Sequence, residues 1–214
     1  MRGPTLLALV FSLLPLPLRA QDPESAGFVV LRGADTVALE HFARGAHQLE
    51  GELILPTMAR QRFHYRATVL DDATTPLVEL QVWRGDDPEQ SSPRQRTQLI
   101  FKEDSVAIDD ISSGGLLTVI LPTAKSALPY LNLSFAFLEQ GVMRARVLGG
   151  DSASVPFFSL GGGQTLSGTV RTVGADSVAV EIGTVDFRLK VDGRGRILGG
   201  SIPAQHLLVT RTPR

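Results

Sequence analysis

The stretch Arg62-Phe63-His64-Tyr65-Arg66-Ala67-Thr68-Val69-Leu70 decides the fold class. Phe63, Tyr65, Ala67 and Val69 share one parity, and His64, Arg66 and Thr68 the other. A period of two belongs to a strand with one face in a core and the other toward water. Residues 77–84 repeat it, with Val78, Leu80 and Val82 opposed by Glu79, Gln81 and Trp83. Working outward, similar short runs cover 28–31, 36–42 and 49–55 on one side, and 97–102, 105–111 and 116–121 on the other. Turn residues separate them: Gly33-Ala34-Asp35, Pro56 and the hydrophilic loop 85–94. Connections of hairpin length imply antiparallel neighbours, because parallel pairs need long crossovers.

One segment departs from this period. Leu131, Phe135, Leu138, Val142 and Ala145 recur at spacings of four and three, the mark of an amphipathic helix. The spacing predicts one principal helix over about 131–148, packed on the sheet. Asn132 or Ser134 can cap its start, Arg144 and Arg146 suit its C-terminal dipole, and Gly149-Gly150 stops it. Gly141 inside it costs about 1 kcal/mol relative to Ala, so tertiary packing must hold the helix. Strand-like runs then return over 154–160, 165–173, 176–182, 184–191, 196–202 and 207–211. Asp192-Gly193 fits a tight hairpin, and Gly199-Gly200 within a strand pattern predicts sharp local curvature. The expected fold is mainly β: a strongly twisted antiparallel sheet or open β-barrel with one helix.

The N-terminus carries an address. Arg2 precedes the apolar run Leu-Leu-Ala-Leu-Val-Phe-Ser-Leu-Leu at 6–14, then Pro15, Pro17 and Leu18-Arg19-Ala20. This is the layout of a secretory signal peptide cleaved near Ala20. The run falls short of the roughly 20 residues a membrane span needs, and nothing later is long and apolar enough for one. The expected organisation is a signal peptide over 1–20 and a single β-rich domain over 21–214, exported to the periplasm or beyond the cell. Removing 20 of the 214 residues leaves 194; the leader takes two of the 21 bases and none of the 22 acids, so the remainder carries −3. With no cysteine, an exported chain relies on its packed core rather than on disulfides.

Composition excludes several functions. A 43% hydrophobic and 20% charged chain is not globally disordered. Near-neutral charge supplies no basic field for nucleic acid. His41, His47, His64 and His206 form no compact metal-ligand pattern. The doublets Asp71-Asp72, Asp86-Asp87 and Asp109-Asp110 are expected at turns, where they cannot face one substrate from two sides. No Gly-x-Ser-x-Gly elbow is present. Gly161-Gly162-Gly163 lacks the lysine and following helix of a phosphate loop. No catalytic, metal or cofactor residue is assigned.

Apolar side chains gather around the helix: Tyr130, Leu131, Phe135, Phe137 and Leu138, followed by Phe157-Phe158. They point either to a filled sheet–helix core or to a lipophilic cavity whose walls would be Phe63, Tyr65, Val78, Leu80, Val82, Phe135 and Leu138. Leader, twisted strands, a Tyr- and Leu-rich helix and a closing meander through Asp192-Gly193-Arg194-Gly195 resemble uncharacterised secreted or periplasmic β-proteins of bacteria. Over residues 28–202 that pattern is similar, at fold level, to the lipoprotein-carrier type of open barrel. The resemblance implies an envelope location and a concave sheet able to hold an acyl chain. The leading expectation is therefore a non-catalytic envelope protein binding a lipid or other apolar ligand between sheet and helix. An interaction module that docks an envelope protein partner comes second, and a secreted hydrolase without a recognisable motif third.

Overall fold

The computed structural model describes residues 23–213 except 59, 86, 88–90 and 113; the expected leader lies outside them. The first half of the chain forms β1 (Glu24–Arg32), β2 (Asp35–Arg44), β3 (Gln48–Leu55), β4 (Gln61–Thr68), β5 (Leu77–Trp83), β6 (Gln95–Phe101), β7 (Ser105–Ser112) and β8 (Gly115–Pro122). After β9 (Leu128–Tyr130) comes the helix, α1 (Phe135–Leu148). The second half forms β10 (Ser152–Ser154), β11 (Phe157–Ser159), β12 (Gln164–Leu166), β13 (Gly168–Gly174), β14 (Ser177–Ile182), β15 (Val185–Val191), β16 (Ile197–Ile202) and β17 (Leu207–Pro213).

Fourteen strands make one antiparallel sheet in the order β10-β13-β14-β15-β16-β17-β1-β2-β3-β4-β5-β6-β7-β8. Two meanders meet where β1 pairs β17, placing Phe28 opposite Arg211 and Val30 opposite Val209. The two ends of the sheet, β8 and β10, do not pair, so the barrel is open. Among the described residues no helix is long and apolar enough to cross a membrane.

A second sheet, β12-β11-β9, lies beside α1 and corrects the sequence reading in three places. The run 154–160 divides at Pro156 into β10 and β11, which belong to different sheets, and 165–173 divides likewise into β12 and β13. Strand β9 was not expected, and it runs parallel to β11, with Leu128 opposite Phe157. Its crossover is α1 itself, which supplies the length a parallel pair requires.

The helix starts four residues later than its apolar period suggests. Leu133 adopts φ 65°, a left-handed conformation that breaks the turn, and Ser134 caps it by accepting from the Phe137 N–H. At Gly141 a Cβ would lie 2.7 Å from the Phe157 ring. The aromatic ring thus packs where a larger residue would stand, and this contact answers the glycine's intrinsic penalty. The core is one continuous apolar cluster that joins the inner face of the large sheet, α1 and the small sheet.

The loop 85–94 is only partly described, but it is tied down. Arg94 pairs with Asp87 at 2.6 Å, and the Trp83 indole N–H donates to the Ser91 carbonyl at 3.0 Å. Asp109 and Asp110 lie inside β7 rather than at a turn. They accept from Thr118 and from Gln95 and Thr97, respectively.

Candidate functional site

Two glutamates lie in the core. Glu40 shares the inward parity of Ala38 and Phe42 on β2, and is 1% exposed. Its carboxylate accepts from the Phe135 and Ala136 N–H groups at 2.7 and 3.0 Å, from the Tyr65 hydroxyl at 2.8 Å and from the Ser134 hydroxyl. Helix α1 has no acidic residue in its first turn. Glu40 supplies that charge from the sheet, at the positive end of the dipole and on otherwise orphaned donors. Burial raises its pKa above the ordinary carboxylate value, against the opposing pull of those four donors. Burial, followed by the Glu40 charge, raises Tyr65 well above its ordinary value, so Tyr65 remains a neutral donor.

Glu139, fully buried on α1, forms a second polar cluster. It accepts from the Ile197 N–H at 2.8 Å, pairs with Arg211 at 2.7 Å and lies 3.3 Å from the Arg44 Nε. Arg211 continues to Glu24 at 2.9 Å, and Arg44 donates to Gln140 and to the Ala136 carbonyl. Arg211 also stacks over the Phe28 and Phe42 rings, 5.3 Å from each centroid. Carboxylates and guanidinium groups here pair with one another, although Arg44 Nε and Glu139 Oε1 meet as an ion pair without a hydrogen bond, and the network anchors α1 to β1, β2, β16 and β17. It is a structural layer with no free nucleophile.

Sequence reasoning assigned no role to either glutamate, although the signal existed. Glu40 is two residues from Ala38 and from Phe42, and Glu139 is four from Phe135 and three from Val142. Each therefore falls on its element's apolar face.

The seven expected wall residues lie together in the sheet–helix core. Tyr65, Val78, Leu80, Phe135 and Leu138 are buried, while Phe63 and Val82 are partly buried against them. The Tyr65 and Phe137 rings stand 4.8 Å apart. None of the seven borders the main clefts among the described residues. The space between sheet and helix is occupied by their own side chains.

A cleft of about 870 Å³ lies on the opposite, outer face of the sheet, across β13–β17. Antiparallel register sets two rows across its floor. Arg171, Ala179, Arg188, Ser201 and Leu208 form one; Ser177, Lys190, Gly199 and Thr210 form the other. Gly199 leaves the second row without a side chain at its centre. Neither glycine tolerates a Cβ: at Gly199 it would lie 2.8 Å from the Val209 carbonyl oxygen, and at Gly200 2.2 Å from that of Arg188. The β15–β16 register shifts at this point, which is the expected bulge. Sharp bending and missing side chains together hollow out the trough.

Apolar side chains remain uncovered in it, with Leu208 59% and Val173 56% exposed. Arg188 pairs with Asp186 at 3.2 Å and Arg171 with Glu181 at 3.8 Å. Lys190 has no carboxylate partner among the described residues. Three cations face two carboxylates around the trough, a local excess of one positive charge. This arrangement combines apolar contact area with a free ammonium at the rim.

The histidines lie elsewhere. His64 is 3.3 Å from Glu50 on the outer face of β4, and His47 is 3.8 Å from Asp71 beside an exposed turn. His206 holds the left-handed residue ahead of β17 at φ 55°. Among the described residues no three His, Cys, Asp or Glu side chains gather as a metal site.

No family model matches the chain, and no curated protein matches it. Solved structures do. A DUF1089 family protein from Pseudomonas aeruginosa matches with a TM-score of 0.57 at 15% identity, over 78% of this chain and 91% of that one. A β-barrel-like protein of the domain of unknown function DUF1849 from Brucella abortus matches with a TM-score of 0.53 at 9% identity, over 89% of this chain and 95% of that one. At these identities the likeness is one of fold alone: this chain is a β-barrel-like protein with an open antiparallel sheet and one helix.

Proposed function

We propose that the chain is an exported, non-catalytic envelope protein that holds an anionic amphiphile, an acyl chain with an acidic head, in the trough over β13–β17. The observation that carries this reading is the trough itself: about 870 Å³, exposed Leu208 and Val173, and an unpaired lysine at its rim. Its volume lies within the roughly 300–1,000 Å³ range of small-molecule clefts. A ligand between sheet and helix would have to displace packed aromatic rings, which favours the outer face over the expected inner one. Export rests on the leader-like residues 1–20 and implies a mature chain that begins near Gln21.

The test titrates residues 21–214 with a fluorescent fatty acid and with the matching fatty alcohol. Saturable binding that prefers the acid is expected, weakened about tenfold by Lys190→Glu and by Leu208→Glu. Absence of binding, or binding that ignores both substitutions, rejects the reading. N-terminal sequencing of the periplasmic product in a bacterial host checks export; an intact Met1 on that product would count against it.

A second reading, an interaction module of the envelope, is favoured by a different observation: the uncovered terminal strand β8.

A further inference from the structure

Strand β8 ends the large sheet, and among the described residues its outer side has no neighbour along most of its length. The small sheet reaches only its last turn, where the Thr123 and Thr165 hydroxyls share a 2.8 Å hydrogen bond. Upstream, Leu116 and Ile120 are each 66% exposed and Leu117 61%. Edge strands are ordinarily blunted by charge, proline or brevity. β10, at the other edge, is three small residues long. β8 has eight residues, and no charged residue occurs between Asp110 and Lys125.

Register shows which backbone groups are free. Ser112 pairs with Gly115 across the hairpin connection, so these two exchange the hydrogen bonds that close it. Alternation then directs Leu117, Val119 and Leu121 toward β7, in phase with the Thr123 N–H, which donates to the Asp104 carbonyl at 2.9 Å. The N–H and C=O groups of Leu116, Thr118 and Ile120 therefore point away from the sheet.

We infer that β8 pairs antiparallel with β8 of a second copy of this chain, about a two-fold axis at Thr118. In that register Thr118 faces itself and Leu116 faces Ile120, the residues whose backbone groups are free. Leu117 faces Val119 on the other side of the ribbon. All of these are favourable cross-strand pairs, and no charge opposes its own copy. A partner strand bearing charges would find none to match. A single strand pair falls in the small interface class, below about 1,200 Å², so the dimer is weak and reversible.

The absence of cysteine makes the test direct. An antiparallel hydrogen-bonded pair holds its Cα atoms about 5.5 Å apart, inside the roughly 4.4–6.8 Å that disulfides span. Thr118→Cys is expected to form a disulfide-linked dimer under mild oxidation at least about tenfold faster than Leu208→Cys, which reports random collision. Sedimentation of the cysteine-free chain should show a concentration-dependent dimer that Thr118→Pro abolishes, because proline removes an outward N–H. Should Thr118→Pro fail to fold, Ile120→Lys at an exposed position replaces it. Equal cross-linking rates, a wild-type monomer at about 0.5 mM, or a folded edge variant that dimerises like wild type each overturn the inference. So does capture of a foreign strand by β8 while Thr118→Cys stays monomeric.

Discussion

On the inner face of the sheet Glu40 is 1% exposed and receives four hydrogen-bond donors, two of them from the first turn of α1. On the outer face Lys190 stands in solvent at the rim of the trough, with no carboxylate partner among the described residues. The inner face uses charge as a fastener. Its carboxylates are tolerable in a low dielectric only because a helix end, a tyrosine, a serine and two arginines converge on them. The outer face leaves charge and apolar surface uncovered, so stability and the proposed ligand recognition belong to opposite faces of the same sheet.

The sharpest way to break this contrast is Glu40→Ala. It strands the Phe135 and Ala136 N–H groups, Tyr65 and Ser134 together, and a loss of about 3–5 kcal/mol is expected in urea unfolding. An effect below about 1 kcal/mol would remove the fastener role. Gly200→Ala comes next: a Cβ 2.2 Å from the Arg188 carbonyl oxygen forces β15 and β16 apart. The expected destabilisation is about 1–3 kcal/mol, and trough binding should fall with it.

Acidity sharpens the inner half of the comparison. Burial raises Glu40 above its ordinary 4.5, so the folded chain holds that proton more tightly than the unfolded chain does. The proton-linked part of the stability at Glu40 is full below about pH 4.5 and is lost as pH rises through the folded value, while the four donors hold the ionised carboxylate in place. The Tm of wild type minus that of Glu40→Gln should therefore decline across that window, since surface carboxylates are common to both proteins. A flat or rising difference would contradict the assigned direction. Smallest is the effect of Lys190→Glu on stability, within about 0.5 kcal/mol, beside its expected loss of amphiphile binding.

Most strands were legible because alternation is a local property. Phe63, Tyr65 and Ala67 state their parity within five residues, and β4 spans Gln61–Thr68 as that parity requires. Boundaries failed where one apolar run serves two sheets: nothing short of the assembled fold directs Ser152–Ser154 to the large sheet and Phe157–Ser159 to the small one. The helix period was legible too, but its start was displaced by the left-handed Leu133. For the candidate site, Gly199-Gly200 was visible as a point of bending, whereas the trough was not. It needs Ala179, Arg188, Ser201 and Leu208 in register across four strands.

By itself the sequence determined the mainly antiparallel β architecture, the single amphipathic helix and the absence of disulfides, since these follow from periodicities and residue types within a few positions. Tertiary structure alone decided that β1 joins β17, that Glu40 caps a helix 95 residues away, that the expected cavity walls fill their own space and that β8 is left as a bare edge. Each depends on which distant segments meet, and the free energy of such meetings comes from shared burial and paired charges that no local window contains.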